Sequence, residues 1–160
     1  MIRWQCVCAV VLLGLVNLPS PAVAAETVGW LESVTILPGS RVLEAKLDTG
    51  ADTSSLDARG IQVLQKNGED WVQFKIGSDA QPVQHKVERW VGIRGAGGRE
   101  QRPVVRLSLC VGSKIYDEEF TLRDRSNMNY PVLLGRRTLA HLPPIDVKKK
   151  YTLDAHCPGG

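Results

Sequence analysis

The sequence holds few of the side chains that bind metals. Its 160 residues include three histidines and four cysteines. His85, His141 and His156 stand far apart, and no His-x-x-x-His or Cys-x-x-Cys pair follows the N-terminal segment. Zinc sites are built from closely spaced pairs of such ligands, so neither a metal nor any other cofactor is expected. The glycine cluster Gly92, Gly95, Gly97 and Gly98 lacks the Gly-Lys-Ser/Thr ending of a phosphate loop, which sets ATP aside. Charge of one sign is scarce too: the formal balance is +3 and Lys148-Lys149-Lys150 is a run of three. Such a run reads as a solvated turn, so no nucleic-acid partner is expected. Aromatics make up 6% of the chain. Trp30, Trp71, Trp90, Tyr116, Tyr130 and Phe120 are not interleaved with basic residues and read as core or barrel-surface groups. Ser54 and Ser55 have no histidine near them in sequence to suggest a catalytic triad.

One apolar run is present, and it is short. Arg3 precedes Cys6 to Val16, Pro19 and Pro21 interrupt the pattern, and Ala22-Val23-Ala24 offers a small-residue cleavage signal. That layout matches a secretory signal peptide and is too short for a membrane span. The expected organisation is a signal peptide over 1–24 and one domain over 25–160, exported and periplasmic, with no stable membrane insertion afterwards. Cleavage after Ala24 or Ala25 fits equally well. Removing the leader takes Cys6 and Cys8 with it and leaves Cys110 and Cys157. In an oxidising compartment an even pair suggests one disulfide. The alternative is that Cys110, at an apolar strand position, is simply a small buried residue.

Short β-type runs dominate from Thr27 onward. Val28 to Leu37 ends at the turn pair Pro38-Gly39, and Arg41 to Leu47 follows. Ile61 to Gln65 and Trp71 to Ile76 flank Asn67-Gly68, a strong hairpin signal. Val83 to Ile93 runs into the glycine cluster. Val104 to Val111 and Ile115 to Leu122 flank Gly112-Ser113, a second hairpin. Only Arg136 to Leu142 reads as helix, cut off by Pro143-Pro144. Tyr151 to Asp154 reads as a terminal edge strand. The prediction is one mostly-β domain, a small closed or partly closed barrel with one short helix near the C-terminus.

The chemistry-bearing segment is Leu47-Asp48-Thr49-Gly50-Ala51-Asp52, where an apolar run stops abruptly. Glycine after Asp-Thr permits a tight loop with the carboxylate at its tip, although the tripeptide alone also describes an ordinary turn. A second element, Pro131-Val132-Leu133-Leu134-Gly135-Arg136, sets an apolar strand, a glycine and an arginine before the short helix. Between the two lies Gly92-Ile93-Arg94-Gly95-Ala96-Gly97-Gly98. In this order the three elements resemble the retropepsins, the half-size aspartic peptidases that work as dimers, over about Arg41 to Leu142. Arg102-Pro103-Val104-Val105 and Asp124-Arg125-Ser126-Asn127-Met128 resemble more closely a bacterial branch often labelled an ATP-dependent zinc protease.

The resemblance implies the acid-protease barrel and a role for each matching residue. Asp48 would be the catalytic carboxylate, and Thr49 would bond across to a partner loop. Gly50, followed by Ala51, would let the backbone approach substrate. Asp52 would pair with Arg136, and Gly92 to Gly98 would form the flap. Chemistry of this kind needs two carboxylates sharing one proton, and the chain carries a single Asp-Thr-Gly, so a homodimer is implied. Arg94 and Arg99 in the flap, with Arg89 and Arg102 nearby, suit a polypeptide substrate of acidic character; ordinary surface arginines are the plainer reading. The expected function is therefore an exported aspartic endopeptidase. The rival is a catalytically silent β domain that binds a peptide or cell-envelope partner in the same cleft, and a metal-dependent hydrolase ranks third.

Overall fold

The computed structural model describes residues 26–39, 41–77, 81–95 and 98–157. The expected leader and the flap residues Ala96 and Gly97 lie outside them. The strands run in chain order as β1 (Val28–Gly29), β2 (Leu31–Leu37), β3 (Val42–Leu47), β4 (Ser54–Lys66), β5 (Glu69–Ile76) and β6 (Val83–Lys86). They continue with β7 (Arg89–Gly95), β8 (Gly98–Val111), β9 (Lys114–Arg123) and β10 (Val132–Leu134). Helix α1 (Arg136–Leu139) and strand β11 (Ile145–Asp146) complete the order.

Six strands close a barrel in the order β10, β3, β2, β8, β9, β4, with β4 pairing back onto β10. Closure removes the open edges that a sheet of this size would otherwise expose. Alternation drives it: on β8, Val105, Leu107, Leu109 and Val111 point inward while Arg106 faces solvent. Phe120 and Leu122 from β9, Leu56 from β4 and Leu134 from β10 fill the interior and are almost wholly buried. Removing such a side chain costs about 2–5 kcal/mol.

Strand β4 is longer than its apolar pattern suggests. Ser54 to Asp57 run parallel to β9 within the barrel; from Ala58 onward the strand pairs with β5, with an irregularity between Arg59 and Gln62. Asn67 (φ 53°) and Gly68 (φ 79°) make the turn of this hairpin, both left-handed as a type I′ connection requires. The predicted run Val83 to Ile93 is two strands: β6 extends the β5 edge, whereas β7 folds onto β8. Val87-Glu88 separates them, with Val87 N donating to Asp70 O and Glu88 N to Val104 O.

The C-terminus departs from expectation. Tyr151 to Asp154 is a strap without strand structure, held by a buried carboxylate. Glu32 Oε1 accepts from Gly29 N (2.5 Å), Thr152 N (3.0 Å) and Thr152 Oγ1 (2.5 Å), and Oε2 accepts from Leu153 N (3.1 Å). These donors replace the water that a fully buried carboxylate has lost. A disulfide joins Cys110 on β8 to Cys157, with the Cα atoms 6.0 Å apart. Ahead of the strap, β1 and β11 form a two-stranded parallel sheet.

Candidate functional site

Strand β10 slots between β3 and β4, parallel to the first and antiparallel to the second. The segment linking β3 to β4, Asp48 to Thr53, must therefore cross the end of β10. Asp48 N donates to Leu134 O, Arg136 N to Ala51 O and Arg137 N to Asp52 O. Gly135 makes the crossing possible: a Cβ there would sit 2.7 Å from Thr53 C and 2.8 Å from the carbonyl oxygens of Asp52 and Thr53. The two motifs that are distant in sequence are thus one structure, a loop braced on the glycine ahead of α1.

Within the loop, Asp48 Oδ1 accepts from Gly50 N (2.9 Å), so the carboxylate is held by its own turn. Thr49 and Gly50 are exposed at the tip. Lys46, two residues earlier on the same side of β3, brings Nζ to 3.5 Å from Asp48 Oδ2. Arg136 Nη2 lies 3.5 Å from Asp52 Oδ1, and its Nη1 donates to Thr49 O (3.1 Å). The closer partner of Asp52 is Arg137, whose Nε is 3.0 Å from Oδ2. All three side chains are more than half exposed, so these pairs orient the loop more than they stabilise the fold.

Behind the loop runs a buried polar relay. Gly135 N donates to Ser54 Oγ (3.1 Å), which lies 2.7 Å from Thr138 Oγ1. Thr138 Oγ1 donates to Glu118 Oε2 (3.1 Å), and His141 Nδ1 is 2.7 Å from Glu118 Oε1. The relay ties β4, β9 and α1 to the glycine under the loop.

In front of the loop lies a cleft of about 390 Å³. Ala51, Asp52 and Thr53 form one wall, and Val91 and Ile93 of the flap strand β7 face them. Gly92 is exposed on β7, while Gly95 pairs with Gly98 near the tip. Arg94 pairs with Arg99 in the β7–β8 ladder, so these two flap arginines sit on facing strands. Five other arginines line the cleft: Arg89, Arg102, Arg123, Arg125 and Arg137. Arg89 is bound to Glu119 at 2.7 Å and Arg102 to Glu100 at 2.6 Å. Arg125 is buried, with Nε donating to Tyr130 O (3.1 Å) and Nη1 to Ser55 Oγ (3.4 Å).

Sequence reading singled out Arg89 and Arg102, met Arg125 only within the segment resembling the bacterial branch and gave it no role, and passed over Arg123 and Lys46. Arg123-Asp124-Arg125 looks like a charged turn after a strand, which is its local structure. The signal for Lys46 was available, since strand period two places residue 46 on the side of residue 48. The histidines lie on separate elements: His85 on β6 against Phe74, His141 on Glu118, and His156 in the C-terminal strap.

Known proteins resemble this chain in sequence and fold. A Desulfotalea psychrophila protein named as a probable alpha-L-glutamate ligase is 33% identical over 108 residues, covering 63% of this chain and 23% of its own. A Shewanella pealeana protein of the same name is 29% identical over 126 residues, 72% of this chain and 27% of its own. The chain thus spans about a quarter of the length of these curated relatives. The crystal structure of a Legionella pneumophila protein of unknown function superposes with a TM-score of 0.66 at 28% identity, covering 79% of this chain and 96% of that one. A family model described as "Retropepsin-like aspartic endopeptidase RimB" matches residues 27–156, so the chain belongs to the RimB-like family of retropepsin-like proteins.

Proposed function

We propose that the protein is an aspartic endopeptidase whose active centre forms when two copies each contribute Asp48, and that it cuts acidic, glutamate-bearing polypeptides. The observation carrying this reading is the Asp48 to Thr53 loop, braced on Gly135 beside a cleft lined by arginines. Two neighbouring carboxylates share one proton. The ionised Asp48 takes a proton from a water whose oxygen attacks the peptide carbonyl carbon. The protonated Asp48 of the second copy gives its proton to the carbonyl oxygen. Collapse of the tetrahedral intermediate then breaks the C–N bond, and the nitrogen leaves with a proton from the dyad. Substrate lies extended between the loop and β7, bound through its main chain. Glutamate is suggested jointly by the guanidinium groups of the cleft and by the relatives, whose name denotes an enzyme acting with glutamate. Export to a periplasm is part of the proposal, in keeping with the Cys110–Cys157 disulfide.

Cleavage of a peptide library by the mature protein from acid to neutral pH tests the reading, with Asp48→Asn beside it. That substitution keeps the shape of the side chain and removes its charge. Persisting cleavage by clean Asp48→Asn protein, or cleavage by a strict monomer in sedimentation, sinks the shared-dyad mechanism. A second reading draws on the ligase name of the relatives: a non-cleaving domain that holds glutamate-bearing chains in the same cleft. It predicts peptide binding with no cleavage at any pH.

A further inference from the structure

We infer that Arg125 is the specificity-determining residue of the cleft, its guanidinium taking the side-chain carboxylate of an acidic residue in the bound chain, with Arg123 and Arg102 flanking it. This deepens the proposed function and rests on it for the presence of a polypeptide in the cleft.

The other arginines in the cleft with ion-pair partners have them close: Arg89 with Glu119, Arg102 with Glu100, Arg137 with Asp52. Among the described residues no carboxylate lies within ion-pair distance of the Arg125 guanidinium. Asp57 lies nearby but is engaged elsewhere: both its oxygens accept from Arg59 at 2.8 Å, and Oδ1 also accepts from Arg125 main-chain N at 2.7 Å. Arg125 is 8% exposed, so its charge is largely stripped of water. Two neutral oxygens, Tyr130 O and Ser55 Oγ, hold it from the protein side. Arg123 and Arg102 act on it as like charges, and Arg102 Nε is itself buried without a hydrogen-bond partner. Burial first, and the Arg123 charge after it, push the Arg125 guanidinium below its ordinary range.

A purely structural role explains this poorly. Tying Tyr130 O to Ser55 Oγ needs two neutral donors, not a buried cation beside two others. A buried charge among like charges costs free energy until an anion arrives. An incoming carboxylate relieves that cost and meets a planar fork of donors already fixed in place. Arg125 lines the same cleft as Ala51, Asp52 and Thr53, which puts the subsite beside the loop that carries Asp48.

The test uses the otherwise intact chain with Asp48→Asn, so that binding is read without turnover. The probes are neutral ten-residue peptides, acetylated and amidated so that no terminal carboxylate remains, each with one glutamate at a scanned position. Each has a glutamine counterpart, and fluorescence anisotropy gives the affinities. At one position glutamate should bind about tenfold tighter than glutamine or more. Adding Arg125→Gln should remove that preference, bringing the glutamate peptide and its glutamine counterpart within about twofold of each other. Arg125→Lys and Arg123→Gln should each lower the preference several-fold, and they carry the test if Arg125→Gln does not fold. A preference unchanged in these variants, or no position with a preference, overturns the assignment; binding that needs a free chain end would place the recognised carboxylate there instead and overturn it too. Failure of the peptidase reading shows separately, as absent or Asp48-independent cleavage with the Arg125-dependent preference intact.

Discussion

Gly135→Ala isolates the loop crossing from every other feature of the site. The backbone at Gly135 has φ −89° and ψ 174°, which alanine adopts without strain. Chain entropy alone would make the substitution stabilising by about 0.4–1 kcal/mol. Contact works the other way. The added methyl would meet three main-chain atoms at 2.7, 2.8 and 2.8 Å, and none of them can rotate aside as a side chain would. Ordinary carbon contacts lie at about 3.5–4.0 Å, so the Asp52–Thr53 backbone must retreat by more than half an ångström. Overpacking of this kind costs about 1–3 kcal/mol. The same retreat strains three hydrogen bonds, Asp48 N to Leu134 O, Arg136 N to Ala51 O and Gly135 N to Ser54 Oγ. Urea unfolding should show a net loss of about 1–2 kcal/mol, and activity should fall further than stability does, because the displaced segment carries Asp48. A variant as stable as the parent with undiminished cleavage would refute the idea that this close approach positions the loop.

Three other perturbations have defined signs. Burial pushes the Asp57 carboxyl up, but the hydrogen bonds from Arg59 and Arg125 N outweigh it and hold it below its ordinary 3.8. Its contribution is therefore complete above about pH 4 and lost as pH falls through the folded value; Asp57→Asn should cost about 2 kcal/mol at pH 7, with the gap closing in acid unfolding curves. Burial against Phe74 holds His85 below its ordinary 6.5, so the native state resists protonation there. Stability from this group is full above about pH 6.5 and declines below it, and a His85→Gln variant should lose less than the parent between pH 7.5 and 5 in the same assay. The Cys110–Cys157 disulfide closes a separation of 47 residues, and the double alanine variant should unfold about 4 kcal/mol more easily. An unchanged urea midpoint would show that the noncovalent contacts of the strap, Glu32 foremost, hold it without the disulfide.

What could be seen in the chain beforehand divides along a physical line. Local signals were legible: Asn67-Gly68 makes its turn, Gly112-Ser113 its hairpin, and Asp48-Thr49-Gly50 interrupts an apolar strand. The Leu134-Gly135-Arg136 element was joined to the site by the resemblance to the retropepsins, not by its residues alone. Non-local choices were opaque. Nothing in Val83 to Ile93 says that its first half pairs with β5 and its second with β8, because both halves alternate as strands do. Glu32 reads as a surface residue by type; only the folded chain brings Thr152 and Leu153 to it. Arg125 was hidden for the same reason, since Ser55, which holds its guanidinium, is 70 residues away in sequence.

The strap has a consequence for assembly. The proposed dyad needs a second copy, and the described end segments are free to interlock with a partner only if their own subunit leaves them unoccupied. Here it does not. β1 is paired to β11, Trp30 N and Tyr151 N are bonded across the same seam, Glu32 fastens Thr152 and Leu153, and Cys157 is covalently tied to β8. Freeing those ends would break a buried carboxylate network and a disulfide together, at a cost that a modest interface does not return. The exposed tip at Thr49 and Gly50 is different, since it is already presented to solvent on a loop braced from behind by Gly135 and the Ser54–Thr138–Glu118 relay. In the proposed dyad the two Asp48 residues would first meet through contacts at these exposed loops.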